Sequence, residues 1–305
     1  MSDKVVSKKY ALREFSQVGL ILMFYALFCL YIPYLIERYF EVPQIYYSDT
    51  YSFDTMLIIR VICVAFASFI PFFFLYISDK RNHDKPSEKS KLSIKNGLVY
   101  TLVFCSIISF FTYISLSIFS FFGISTDLLS NIGLPINSSY FNDLLYIFIY
   151  ICFIPFLEEF AFRKSLLNVL GKYGKRFAVV TCSLIYAIAH CNITQFLPSF
   201  IMAYILSKIY LKYRSLGAIT FIHVFYNLIM FLGFSISSEY NKYVLLFLLA
   251  IILISIILVL LKEYIPITLP RTDFNKNTFW MFLSCKTVIF SLIMFIAFGI
   301  LSVVL

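Results

Sequence analysis

Long apolar runs, broken by short basic or polar segments, set the pattern of this chain. An α-helix needs about 17 to 25 residues to cross the ~30 Å hydrocarbon core of a bilayer. Runs of that kind fall at roughly 16–36, 56–77, 97–122, 142–159, 177–193, 195–210, 216–234, 243–262 and 283–305, nine candidates in all. The pattern predicts an all-α fold, a polytopic membrane helical bundle of about eight to nine transmembrane helices. The fifth and sixth runs are short and adjacent, so one of them could be re-entrant. The first run follows Lys4, Lys8, Lys9 and Arg13 but is long for a signal sequence. It ends at IPYLIERYF without a small-residue cleavage site, which makes it an uncleaved first helix.

The loops give an orientation, because Lys and Arg are retained on the cytoplasmic side. Basic segments are the N-terminal tail, the loop holding Lys80, Arg81, Lys85, Lys89, Lys91 and Lys95, and the stretches Arg163 to Arg176, Lys208 to Arg214 and Lys262 to Lys276. They alternate with the base-poor segments Glu37 to Asp54, Gly123 to Asn142, Asn192 to Gln195 and Ser235 to Lys242. Nine spans fit this alternation with the N-terminus cytoplasmic and the C-terminus outside. The chain is expected to be a multi-pass plasma-membrane protein whose environment is the lipid bilayer.

Composition narrows the class further. Of 305 residues 61% are hydrophobic and 13% charged, against about a quarter charged in soluble domains. The net charge of +9 implies no nucleic-acid partner, since the basic residues sit in the orienting loops. The seven cysteines lie in or beside apolar runs without CxxC spacing, and read as small buried hydrophobes rather than disulfides or metal ligands. Density in Phe, Ile, Tyr and Lys is common in proteins of bacteria with AT-rich genomes.

Candidate chemistry is concentrated in the second half. FLEEFAFRK, Phe156 to Lys164, places Glu158, Glu159 and Arg163 at the end of an otherwise apolar run. A charge at the bilayer centre costs ~2.5 to 3.5 kcal/mol on insertion scales, so an intramembrane ionisable pair marks a functional site by default. Two of the three histidines, His190 and His223, also lie in apolar runs, and Asn227 follows His223 by four residues on the same helix face. Ordinary structural readings exist beside this one. Glu159 and Arg163, also four apart, could pair near the cytoplasmic surface, and a histidine or asparagine in an apolar helix is commonly an interhelical hydrogen-bonding residue. Glu158 has no such pairing.

Counted at ~1.5 Å per residue from the nearer cytoplasmic boundary, Glu158 falls within about one to two turns of the surface, His223 about two turns in, and His190 deeper, at ~20 Å. A carboxylate, two imidazoles and an amide in a water-accessible pocket of low dielectric suit hydrolysis of a peptide bond. The carboxylate supplies a general base, and imidazole and amide N–H groups can hold the oxyanion on the attacked carbonyl.

These residues carry a family resemblance. EExxxR (Glu158, Glu159, Arg163), an aromatic-x3-His (Tyr186, His190) and HxxxN (His223, Asn227), in that order on separate helices, resemble the three motifs of the CPBP or Abi family of intramembrane endopeptidases. That family includes CAAX prenyl-protein endopeptidases and bacterial proteins linked to bacteriocin immunity, peptide processing and secretion. The resemblance covers about Asp143 to Phe234. It implies that Glu158 is the water-activating base assisted by His190, that His223 and Asn227 line the oxyanion site, and that Glu159 and Arg163 support the first glutamate. Tyr186 stands where the second motif usually begins with Phe, keeping the ring and adding a hydroxyl. Three regions follow: 1–142, N-terminal transmembrane helices with a basic cytoplasmic loop; 143–234, catalytic helices of CPBP type; and 235–305, C-terminal transmembrane helices.

The expected substrate is a membrane-associated peptide or protein, as in bacteriocin or signalling-peptide processing, immunity or secretion, and the extra helices could bind a membrane protein partner. No cofactor is expected. Zinc is the second choice, held by Glu158, His190 and His223 as a His2Glu set, ranked behind because the short HExxH spacing is missing. The alternative of a different class is a non-catalytic scaffold of the same fold that binds a partner enzyme or sensor kinase. A proton-coupled transporter ranks below both, because the polar residues have no matching set in the first half.

Overall fold

The computed structural model describes residues 8–40, 45–48, 51–53, 55–80, 94–122, 144–145, 147–235, 253 and 276–304. Helices α1 (Lys8–Tyr39), α2 (Thr55–Lys80) and α3 (Ile94–Phe121) form the first half. Helices α4 (148–171), α5 (Lys175–Ala189), α6 (Ile193–Tyr213) and α7 (Leu216–Ser235) follow with short connections. The short α8 (Lys276–Leu283) and α9 (Lys286–Val304) close the chain. The fold is helical as expected, apart from one small antiparallel hairpin between α1 and α2, β1 (Ile45–Ser48) and β2 (Tyr51–Phe53), with Ile45 opposite Phe53.

A single apolar core joins these helices. Phe15, Phe72, Phe104, Leu166, Leu206 and Phe295, from α1, α2, α3, α4, α6 and α9, are buried within it. Large apolar side chains such as Ile62, Phe74 and Ile296 stay exposed on the outer faces of α2 and α9. That is the surface a helix presents to lipid, where burial in protein is not required.

Among the described residues, three helices are long and apolar enough to cross a membrane: Lys8–Tyr39, Ile58–Asp79 and Val99–Phe121. A fourth is added if α8 and α9, which meet at a bend of 69°, count as one span. The expected eight to nine is a larger number. Part of the difference is physical, because α4 carries Glu158, Glu159, Arg163 and Lys164 and α5 has only 15 residues. The expected span 243–262 lies outside the described residues apart from Leu253, as do the basic loop from Arg81 to Lys91 and the segment Gly123 to Asn142.

The fifth and sixth runs are two distinct helices packed on each other. His190 ends α5, and Asn192 caps α6 by accepting hydrogen bonds from the Thr194 N–H (2.9 Å) and hydroxyl (2.7 Å). The first and last helices run parallel. Thr287 donates to the Ser16 carbonyl at 3.1 Å, Phe295 packs on Tyr25, and Phe298 lies against Tyr31 and Tyr34. Gly19 makes the close start of this pairing feasible, since a Cβ there would lie 2.4 Å from Thr287 Oγ1 and 2.5 Å from Val288 N.

Candidate active site

Helix α4 is irregular where it matters. A π-helical segment, Phe148–Phe153, ends two residues before Pro155, and a second, Glu159–Leu166, follows the short α-helical turn Ile154–Glu158. Proline cannot donate to the carbonyl four residues back and its ring crowds that carbonyl. A wider turn, here with the Ile154 N–H bonded to Ile149 O, takes up the displacement. The same device precedes Pro33 in α1, where Leu27–Tyr31 is π-helical.

Helix α4 also corrects the expected depth of the site. The hydropathy pattern ends this span at 159 and puts Arg163 at the start of a basic stretch expected to be cytoplasmic. Instead the helix continues to Gly171, and Phe160, Ala161, Phe162, Arg163, Leu166 and Leu170 are buried in it. The basic end begins at Lys172, so Glu158 sits about 20 Å along the helix from it, at ~1.5 Å per residue. His190 lies about 20 Å from Lys175 on α5 by the same rise. The two side chains that seemed mismatched in depth are level, because the buried Arg163 and its partner resembled a loop in hydropathy.

Glu158, Tyr25, Phe162, Tyr186, Ala189 and His190 line a cavity of about 80 Å³. That is several times the ~10–15 Å³ of such volume needed for one water. Tyr186 donates its hydroxyl hydrogen to Glu158 Oε2 at 2.8 Å. His190 Nδ1 lies 2.8 Å from the Tyr186 backbone carbonyl, one turn back in α5. A carbonyl only accepts, so Nδ1 carries the hydrogen and Nε2 of the neutral ring is an acceptor.

The second glutamate is fully buried and shared. Glu159 Oε1 lies 2.9 Å from Arg163 Nη1 and 2.8 Å from His223 Nδ1. Beside this carboxylate His223 Nδ1 is the donor, and Nε2 faces Glu158 Oε2 across 3.9 Å. Arg163, with no exposed surface, lays its guanidinium 4.4 Å from the centre of the Tyr186 ring. The plain surface ion pair considered for Glu159 and Arg163 is therefore an interior pair tied to His223.

Of the six sequence candidates Glu158 and His190 line the cavity, and Glu159, Arg163 and His223 form a buried cluster behind it that reaches Glu158 through His223. Asn227 stands one turn beyond His223 on α7, partly buried, with no hydrogen bond to the other five among the described residues. Two residues outside the candidate set belong to the site. The Tyr186 hydroxyl, treated as incidental in the sequence, is bonded to Glu158. Tyr25 reaches the cavity from α1, and no motif or spacing in the sequence pointed to it. The turn after His190 is braced by α9: Cys191, at φ 52°, donates its thiol to Phe295 O at 3.3 Å, and a Cβ at Gly299 would lie 3.0 Å from Cys191 O.

Zinc finds no assembled ligand set here. Among the described residues no three His, Cys, Asp or Glu side chains form a group able to hold a metal ion. His190 and His223 commit Nδ1 to Tyr186 O and Glu159, which leaves Nε2 as the free nitrogen of each ring.

A bundle of apolar helices with a half-open cavity lined by a carboxylate and an imidazole defines the class. Residues 140–229 match the family model of the type II CAAX prenyl endopeptidases, Rce1-like. The match covers less than a third of the chain, includes all six candidates, and supports the CPBP family that the motifs resemble. No curated protein and no solved structure matched the chain.

Proposed function

We propose that this protein is an intramembrane endopeptidase that hydrolyses peptide bonds of membrane-associated peptides or proteins, with Glu158 as the base. The observation that carries this reading is the Glu158 carboxylate on the wall of a half-open cavity shared with His190, both residues lying within the family-matched helices. Water held between Glu158 and the acceptor Nε2 of His190 gives a proton to the carboxylate as its oxygen attacks the scissile carbonyl. His223, when protonated at Nε2, and Asn227 are the donors for the resulting oxyanion. Collapse breaks the C–N bond, and the proton taken up by Glu158 passes to the leaving amine. Glu159 and Arg163 hold His223 and Tyr186 and do not react.

Peptide maturation, immunity or secretion in a bacterial plasma membrane is the setting we favour. The decisive experiment compares peptides and new protein N-termini in membranes and medium from host cells carrying the wild type, Glu158→Gln or a deletion. Products lost in both the variant and the deletion support proteolysis and name the substrate. A deletion phenotype that Glu158→Gln fully restores, at equal expression, replaces the enzyme by a scaffold of the same fold.

A further inference from the structure

We propose that Tyr186 is a positioning residue that links the two glutamates: its hydroxyl fixes one oxygen of Glu158, and its ring is fixed by Arg163, which Glu159 anchors. The proposal rests on the reading of Glu158 as the base and adds how that base is held. Tyr186 is 1% exposed. The Arg163 guanidinium covers one face of its ring, Phe162 meets it edge-on with centroids 5.1 Å apart, and His190 does so at 4.6 Å. A phenol so enclosed has one direction for its O–H, and Glu158 Oε2 lies along it at 2.8 Å.

The consequence for Glu158 is asymmetry. Oε2 is occupied by the Tyr186 hydroxyl and is the oxygen nearest His223 Nε2, which leaves Oε1 as the oxygen for water. A glutamate side chain loses rotamer freedom when it is fixed. Here that ordering precedes the reaction. The Tyr186 backbone also orders the other member of the pair, since its carbonyl holds His190 Nδ1 and sets which imidazole nitrogen accepts. One residue thus sets the orientation of the base and the tautomer of its neighbour.

The test uses Tyr186→Phe in the full-length protein, which keeps the ring, the cation contact and the backbone carbonyl and removes only the hydroxyl. The carboxylate stretching band of Glu158 is isolated in infrared difference spectra by subtracting Glu158→Gln from the wild type, and again in the Tyr186→Phe background. The band is expected to move when the hydroxyl is removed, and an unmoved band overturns the proposal. The reciprocal measurement needs only Glu158→Gln, in which the C–O stretch of Tyr186 moves if the phenol has lost its carboxylate acceptor. This readout survives poor folding of the Phe variant. In host cells, Tyr186→Phe lowers the Glu158-dependent products about ten- to hundredfold, the size of a hydrogen bond to a charged group. Tyr186→Phe has no further effect on a Glu158→Gln protein. An equal loss in both backgrounds places the effect of the hydroxyl elsewhere and overturns the proposal. If the bands move while no version cleaves anything, the linkage stands and the protease reading fails.

Discussion

Glu159 and His223, sixty-four positions apart, meet at 2.8 Å with neither side chain more than 3% exposed, and the same carboxylate oxygen holds Arg163 at 2.9 Å. Glu159→Ala leaves the Arg163 charge buried without its carboxylate, which costs about 3 to 5 kcal/mol. We expect a large fall in the melting temperature of the detergent-solubilised protein. Glu159→Ala combined with Arg163→Met should lose less than Glu159→Ala alone, because no unpaired charge remains. A double variant that is worse than the single one contradicts this account of the pair.

The pairing of α1 with α9 depends on Gly19. A methyl group there meets Thr287 Oγ1 and the Val288 backbone within 2.5 Å, which only separation of the two helices relieves. Gly19→Ala is expected to destabilise by about 1 to 3 kcal/mol, as overpacking does. Gly217→Ala meets nothing within 4 Å and serves as the control. Its expected effect is neutral to about 1 kcal/mol stabilising, from helix propensity. Thermal denaturation of both in detergent tells them apart.

Tyr25 packs its ring edge-on against Phe72 and Phe162 and tilted against Phe295. Tyr25→Ala removes that packing beside an existing cavity and should cost about 3 to 5 kcal/mol. Tyr25→Phe keeps the three ring contacts and should stay within about 1 kcal/mol, the net worth of an ordinary hydrogen bond. The difference between the two unfolding free energies separates the ring from the hydroxyl.

Alkaline pH acts at the basic end of the bundle, where α4 gives way to α5. Lys172, in the connection after α4, lies 2.9 Å from Glu14 and 2.7 Å from Asp79. Burial alone would lower its pKa, but the bonds to Asp79 and Glu14 outweigh burial and raise it above the usual lysine value. The neighbouring Tyr173 hydroxyl donates to Glu14 at 2.7 Å, and burial and that bond raise its pKa too. Groups with raised folded-state pKa values contribute stability that is complete below their unfolded values, ~10 for Tyr and ~10.4 for Lys, and is lost as pH rises through the folded ones. Stability in detergent should therefore decline from about pH 10 upward. Lys172→Met should be less stable at pH 8 and lose part of that dependence; an unchanged alkaline slope would count against the cluster.

Much of the site was legible in the sequence, because the cost of charge in an apolar run makes Glu158, Glu159, His190 and His223 conspicuous wherever the helices go. The helical class was legible for a similar reason, since a backbone in lipid must satisfy its own hydrogen bonds and long apolar runs have few alternatives. Asn192, a helix cap read only as part of an uncharged loop, shows the limit at element ends. One residue set the boundary between α5 and α6 through its bonds to Thr194.

By itself the sequence determined which ionisable side chains stand in apolar runs, the order in which the helices present them, and the apolar faces that suit a membrane. Tertiary structure decided how deep the site lies, what Glu159 holds, that the Tyr186 hydroxyl is used, and that Tyr25 closes the cavity from α1. The physical reason is the same in each case. Hydropathy records the cost of each residue alone, whereas a buried charge is tolerated through its partner. Arg163 resembled a surface residue until Tyr186 and, through the neighbouring Glu159, His223 were brought to it from two other helices.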